Sequence, residues 1–138
     1  GWMAAHALGA EGIEMGTRFI ATKECVHASL AYKQALIESE ETDTAIIKRS
    51  IGAPARVIRN EFTDKILEIE QHSPTYEALK TYISGEANKK FIYDGDSANG
   101  YGWAGQVTGL INDIPTVEEL IQRMVVQAEE IRLKWGQQ

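Results

Sequence analysis

The sequence predicts a mostly α-helical chain, about half of it helix, with about three short strands. Three observations predict this. Val117, Leu120, Ile121, Met124, Val125, Ala128 and Ile131 fall on one stripe at three- and four-residue spacing, the signature of an amphipathic helix. Asn60, Ser73 and Thr116 stand where helices need N-caps. β-prone residues are confined to short runs at 13–20, 43–47 and 55–58.

Taken in order, residues 2–8 (Trp-Met-Ala-Ala-His-Ala-Leu) read as the end of a helix, and Gly9 suits the left-handed position just past it. A helix that starts at residue 2 without a cap predicts that its first turns are missing, and that the chain is a piece of something longer or has lost a tag. Residues 13–20 read as a buried strand. Alone it would leave its backbone groups unpaired, so it is expected to pair with strands outside this chain, with the 43–58 region or with a second copy. A helix over 28–38 carries Leu30, Lys33, Gln34 and Ile37. The runs 43–47 and 55–58 flank a turn containing Gly52 and Pro54, which predicts a hairpin. Asn60 caps a helix carrying Phe62, Ile66, Leu67 and Ile69. Ser73-Pro74 is expected to open the next helix, with Gly85 closing it. The stretch "DGDSANGYGWAG" at 94–105 reads as a loop, followed by a short helix at 106–111. Thr116 and Glu119 form a capping box in front of the last helix.

The 138 residues suffice for one domain with a real core, and 43% apolar with 25% charged residues is ordinary for a globular protein. The net charge of −6 argues against a nucleic-acid partner, although Lys48, Arg49, Arg56 and Arg59 lie close together. No apolar run approaches the roughly 20 residues that span a bilayer, so no membrane partner is expected. The N-terminus lacks a basic segment followed by an apolar one, and the lone Cys25 has no disulfide partner; together they predict a cytoplasmic chain.

The catalytic inventory is thin. His6, His27 and His72 are scattered, with no metal-ligand spacing, so no metal is expected. Cys25 has Lys23 nearby but also Glu24, and Ser29 and Ser73 sit in no nucleophile elbow. Glu38, Glu40 and Glu41 read as a solvated charge run. Two places stand out. At Met15-Gly16-Thr17 a glycine lets a backbone N–H approach an anion, and the hydroxyl adds a donor. At 105–109, Gly-Gln-Val-Thr-Gly follows the glycine-rich loop.

With their spacing, these two places resemble the C-terminal part of the nitronate monooxygenase family, formerly 2-nitropropane dioxygenase, which includes the flavin-type enoyl-ACP reductases. The matching pieces are "AAHALGAEGIEMGTRFIATKEC", "YKQAL", "PARVIRNEFT" and "GDSANGYGWAGQVTGLINDI", in family order over nearly the whole chain. The resemblance implies an α/β parent, an FMN-dependent TIM barrel. Residues 1–22 would be its last helix end and last strand, and 23–138 a mostly helical small domain over the barrel mouth. It implies Gly16 and Thr17 as contacts of the FMN phosphate and Glu14 and Met15 as the same strand end. Gly105 and Gln106 would lie on the flavin side of the cleft. Family members often carry glutamine in place of Glu14, and a carboxylate near a phosphate repels it unless it points away. The family's general-base histidine lies on an earlier strand and has no counterpart here, so no catalytic residue is assigned. The resemblance thus implies a piece of an oxidoreductase acting on a small-molecule nitronate or, as the alternative, an enoyl thioester, inactive by itself. A non-catalytic, self-associating helical module is the other class weighed. A homo-oligomer is expected in either case, through Trp2, Met3, Ile13, Met15 and Phe19.

Overall fold

The computed structural model describes residues 1–136. Seven helices, a two-stranded hairpin and one 3-10 turn follow each other among the described residues: α1 Trp2–Ala7, α2 Thr17–Ile20, α3 Leu30–Glu38, β1 Thr44–Ile47, β2 Ala55–Ile58, α4 Glu61–His72, α5 Tyr76–Leu79, α6 Gly85–Ile92, the 3-10 turn Gln106–Leu110, and α7 Val117–Trp135.

Local capping chemistry sets many of the boundaries. Gly9 (φ +94°) ends α1: its N–H donates to the His6 carbonyl (2.9 Å) and the Ala10 N–H to that of Ala5 (3.0 Å), a Schellman closure. Asn60 caps α4 in a reciprocal box with Thr63, and Thr116 caps α7 in one with Glu119. Two caps differ from the sequence expectation. α4 runs on to His72, so Ser73 ends that helix and its N–H donates to the Ile69 carbonyl (2.8 Å); Thr75 caps α5 instead. Gly85 closes nothing. Ser84 accepts from the Ala87 N–H (3.2 Å) and makes Gly85 the first residue of α6.

β1 and β2 pair antiparallel, Thr44 opposite Ile58 and Ile47 opposite Ala55. The glycine-rich stretch, expected as loop throughout, adds a short edge beside β2. Val57 bridges Trp103, the Ile58 N–H donates to Gly102 (3.0 Å) and the Ala104 N–H to Arg56 (3.2 Å). The expected strand at 13–20 is a correction. Residues 12–15 have no strand pairing, Ile13 is 40% exposed, and Thr17–Ile20 is helical. A strand needs a neighbour's backbone about 4.8 Å away. What shares a groove with residues 13–16 is α1 and α7, whose interior backbone groups are spent within the helices. Pairing with the 43–58 region does not occur.

Two clusters make the core. Tyr32, Leu36, Ile58, Phe91 and Ile111 form one; Ile47, Val57, Phe62, Ile66, Leu79 and Tyr101 dominate the other. The α7 stripe is only partly spent on them. Leu120 is buried, Met124, Ala128 and Ile131 are half-buried, and Ile121 and Val125 stay about half exposed.

The Tyr32 hydroxyl donates to the Trp103 carbonyl and ties α3 to the sheet edge. Burial pushes the Tyr32 phenol well above the usual tyrosine range, with Cys25 adding to the shift, and burial also raises Tyr101. A phenol whose folded pKa is raised keeps its contribution below its unfolded value, about 10, and loses it as the pH climbs above that. Urea midpoints should therefore fall between pH 8 and pH 11. Tyr32→Phe should flatten that fall while costing about 1–3 kcal/mol at pH 8, because the Trp103 carbonyl loses its donor. An equal alkaline loss in wild type and variant would refute the assignment.

Candidate functional site

Gly16 sits just ahead of α2, and its carbonyl accepts from the N–H groups of Phe19 (3.0 Å) and Ile20 (3.3 Å). A Cβ built on Gly16 would meet nothing within 4 Å, so the space above this backbone is open. Thr17 opens α2, and its Oγ1 accepts the N–H of Gly105 at 3.0 Å. That bond joins the two places the sequence singles out, 88 residues apart. With its oxygen holding Gly105, the Thr17 hydroxyl keeps its own proton for a further acceptor.

Glu14, Met15, Gly16 and Thr17 line one groove of about 620 Å³, with Trp2, Ile13, Leu110 and Met124 among its other walls. Gly105 reaches it through Thr17. Gln106 is exposed at the start of the 3-10 turn and does not line it. Glu14 is exposed as well. The groove contains a cation that sequence reasoning missed, although it directly follows the Gly-Thr pair. Arg18 lines it, with Nη2 donating to the carbonyls of Ala21 (2.6 Å) and Asp113 (2.9 Å). Its Nε is buried without a partner, and Asp113 also pairs with Arg123. Burial draws the Arg18 pKa down and Asp113 opposes the shift; the guanidinium stays charged.

This donor set fits the phosphate end of a nucleotide-like cofactor: open backbone at Gly16, a free hydroxyl proton at Thr17, and a fixed guanidinium behind them. The apolar walls fit a ring system better than a chain of polar groups. Among the described residues, no group of three or more His, Cys, Asp or Glu could hold a metal ion. His6 and His72 instead cap helix ends, facing the carbonyls of Ala10 (3.3 Å) and Glu68 (2.9 Å). Among the described residues, no helix is long and apolar enough to cross a membrane.

The architecture is similar to that of solved structures, two FabK chains among them. FabK from Thermotoga maritima superposes with a TM-score of 0.88 at 33% identity, over 96% of this chain and 42% of that one. Its M276A variant gives a TM-score of 0.80 at 30% identity, over 96% of this chain and 39% of that one. The described fold therefore matches a part of that larger chain. The model of the nitronate monooxygenase family matches residues 1–127, and the chain belongs to that family. A probable nitronate monooxygenase of Staphylococcus saprophyticus is 36% identical over 131 residues, and one of Staphylococcus haemolyticus 32% identical over the same length. The chain spans 36% of the length of each of these relatives.

Proposed function

We propose that this chain is the C-terminal part of an FMN-dependent TIM-barrel oxidoreductase that oxidises alkyl nitronates with flavin and oxygen. The observation that carries the proposal is the Thr17–Gly105 bond, which gathers both family motifs at one open, donor-bearing groove. When bound, FMN supplies the electron-accepting ring. The chain's own residues do the rest. Gly16 leaves room for a phosphate to reach the backbone. Thr17 turns its free proton to a phosphate oxygen, and Arg18 sets a positive potential behind it. Met15 and the apolar wall exclude water, while Glu14, exposed on the groove's lining, has to turn its carboxylate to solvent for an anion to bind. In this reading residues 1–22 close the barrel and 23–138 form the smaller domain over its mouth, with α7 returning to pack against α1. The histidines stand outside the groove, so the 138-residue chain alone is inactive on nitronates. Without the rest of the parent it pairs with a second copy of itself. The similarity to FabK favours a second reading, reduction of an enoyl thioester at the same flavin.

Equilibrium dialysis tests the phosphate assignment. The chain should retain FMN about tenfold better than riboflavin, a difference of about 1.4 kcal/mol. Thr17→Val and Gly16→Ala should erase that preference. Gly16 has an ordinary φ of −88° and open space, so its alanine variant should keep wild-type stability. Equal retention of the two flavins, or none of either, would sink the assignment.

A further inference from the structure

The basic group singled out in the sequence is not absorbed by the flavin groove, and the structure organises part of it. β1 ends at Ile47, and the next residue, Lys48, takes φ +64°, a left-handed conformation that lysine rarely adopts. Glu70 of α4 holds it there. Its Oε2 accepts the Lys48 N–H (2.9 Å), and its Oε1 accepts the Ser50 N–H (3.0 Å) and hydroxyl (2.7 Å). The carboxylate is thus spent on the turn and not on the ammonium. So held, Lys48 Nζ stands 5.0 Å from the centroid of the Trp103 ring. Trp103 is braced from behind by Tyr101, edge to face at 5.3 Å, and Tyr101 is itself buried and donates to the Ile83 carbonyl (3.2 Å). With Lys48 over the ring, the residue is still 37% exposed.

Three cations at this hairpin, Lys48, Arg49 and Arg56, have no carboxylate within 4 Å among the described residues, whereas neighbouring Arg59 is paired with Asp64. Arg56 is tied instead to the Thr44 hydroxyl (2.8 Å). In a chain of net charge −6 this is a local positive spot with a rigid aromatic platform. It lies on the same segment as the flavin groove, because Gly105, which bonds Thr17, is two residues from Trp103, about 7 Å of chain.

We propose that Lys48 and Trp103 form the anion end of the substrate cleft: the ammonium pairs with an oxyanion while the exposed part of the indole carries the adjoining planar or alkyl part. This rests on the flavin reading above for what the cleft serves, but the site itself is defined by this chain's residues. An alkyl nitronate and the phosphate ester of a pantetheine thioester share that chemistry, and they separate the two activities weighed above.

The test is a fluorescence titration of the chain with propyl-2-nitronate, phosphopantetheine and their neutral counterparts, 2-nitropropane and pantetheine. At least one anion should quench saturably and bind about tenfold tighter than its neutral counterpart. Trp103→Phe should remove the signal. Lys48→Met should lose the preference for the anion, and Lys48→Arg should keep it; circular dichroism checks that each variant is folded. Nitronate binding alone supports the first activity, phosphopantetheine binding alone the second, and both support the site. Neutral compounds binding as well as anions, or Lys48→Met behaving as wild type, would overturn the proposal. FMN dialysis is read on the wild-type chain. Lost flavin selectivity with intact anion binding would sink the flavin reading and leave this site standing.

Discussion

Gly100→Ala should cost about 3 kcal/mol or more, a large part of the 5–15 kcal/mol that holds a typical domain together. The added Cβ would lie 2.4 Å from the Ala87 carbonyl oxygen and 2.8 Å from the Phe91 nitrogen, both backbone atoms of α6. Neither can yield without disturbing the helix. Nor can Gly100 retreat freely, since its carbonyl accepts from Asn60 Nδ2 (3.0 Å), the side chain that caps α4. Gly102→Ala meets a comparable obstacle, the Tyr32 ring at 2.4 Å, which is buried and pinned by its hydroxyl. Gly12→Ala is the control, because nothing lies within 4 Å of its Cβ. Urea denaturation of the three variants should leave Gly12→Ala near wild type and drop the other two sharply. Equal midpoints for Gly100→Ala and Gly12→Ala would show that α6 moves aside and that the close approach is not a constraint.

These glycines mark the line between what the sequence could and could not disclose. The stretch at 94–105 was recognisable as irregular, because four glycines forbid a helix or strand interior there. Its use as a sheet edge was not, because the partner residues lie near Val57, far away in sequence. Helix caps were legible at Asn60 and Thr116, where one side chain and its third neighbour settle the matter locally. They failed at Ser73 and Gly85, where two cap candidates lie within two residues and the run of the preceding helix decides between them. The 13–20 segment failed for the opposite reason: β-propensity describes a residue's fitness for a sheet, and the sheet must be supplied by other segments. At the site, Gly16-Thr17 and Gly105 were each visible, but the hydrogen bond between them was not. Lys48 was visible as one of a basic group, but its left-handed backbone was not, since that conformation is ordinarily announced by glycine or asparagine.

Without flavin, the 138-residue chain by itself should be a two-fold dimer, because FMN and a second copy compete for one groove. The groove between α1, residues 13–16 and α7 leaves Trp2 at 38% exposure, Ile13 at 40% and Leu110 at 80%, and Ile121 and Val125 continue the apolar surface along α7. Such a continuous face is seldom left open to water. Phe19 is half-buried and does not line the groove, so the contact is narrower than the sequence implied. Residues 12–15 add backbone groups that no strand pairs, and an open edge recruits another strand. Burying roughly 600 Å² of apolar surface in all would contribute on the order of 15 kcal/mol. Association costs about 4–15 kcal/mol, which leaves at best about 11 kcal/mol, a dimer with a Kd on the order of 10 nM, and a micromolar one for a cost of about 7 kcal/mol. A second copy presents the same face in self-complementary form, as a two-fold axis requires. Sedimentation velocity at tens of micromolar should show the dimer. Val125→Glu and Ile13→Asp, both at exposed positions, should each return it to a folded monomer. A wild-type chain that sediments as a monomer would overturn the prediction, and so would a dimer indifferent to both charges.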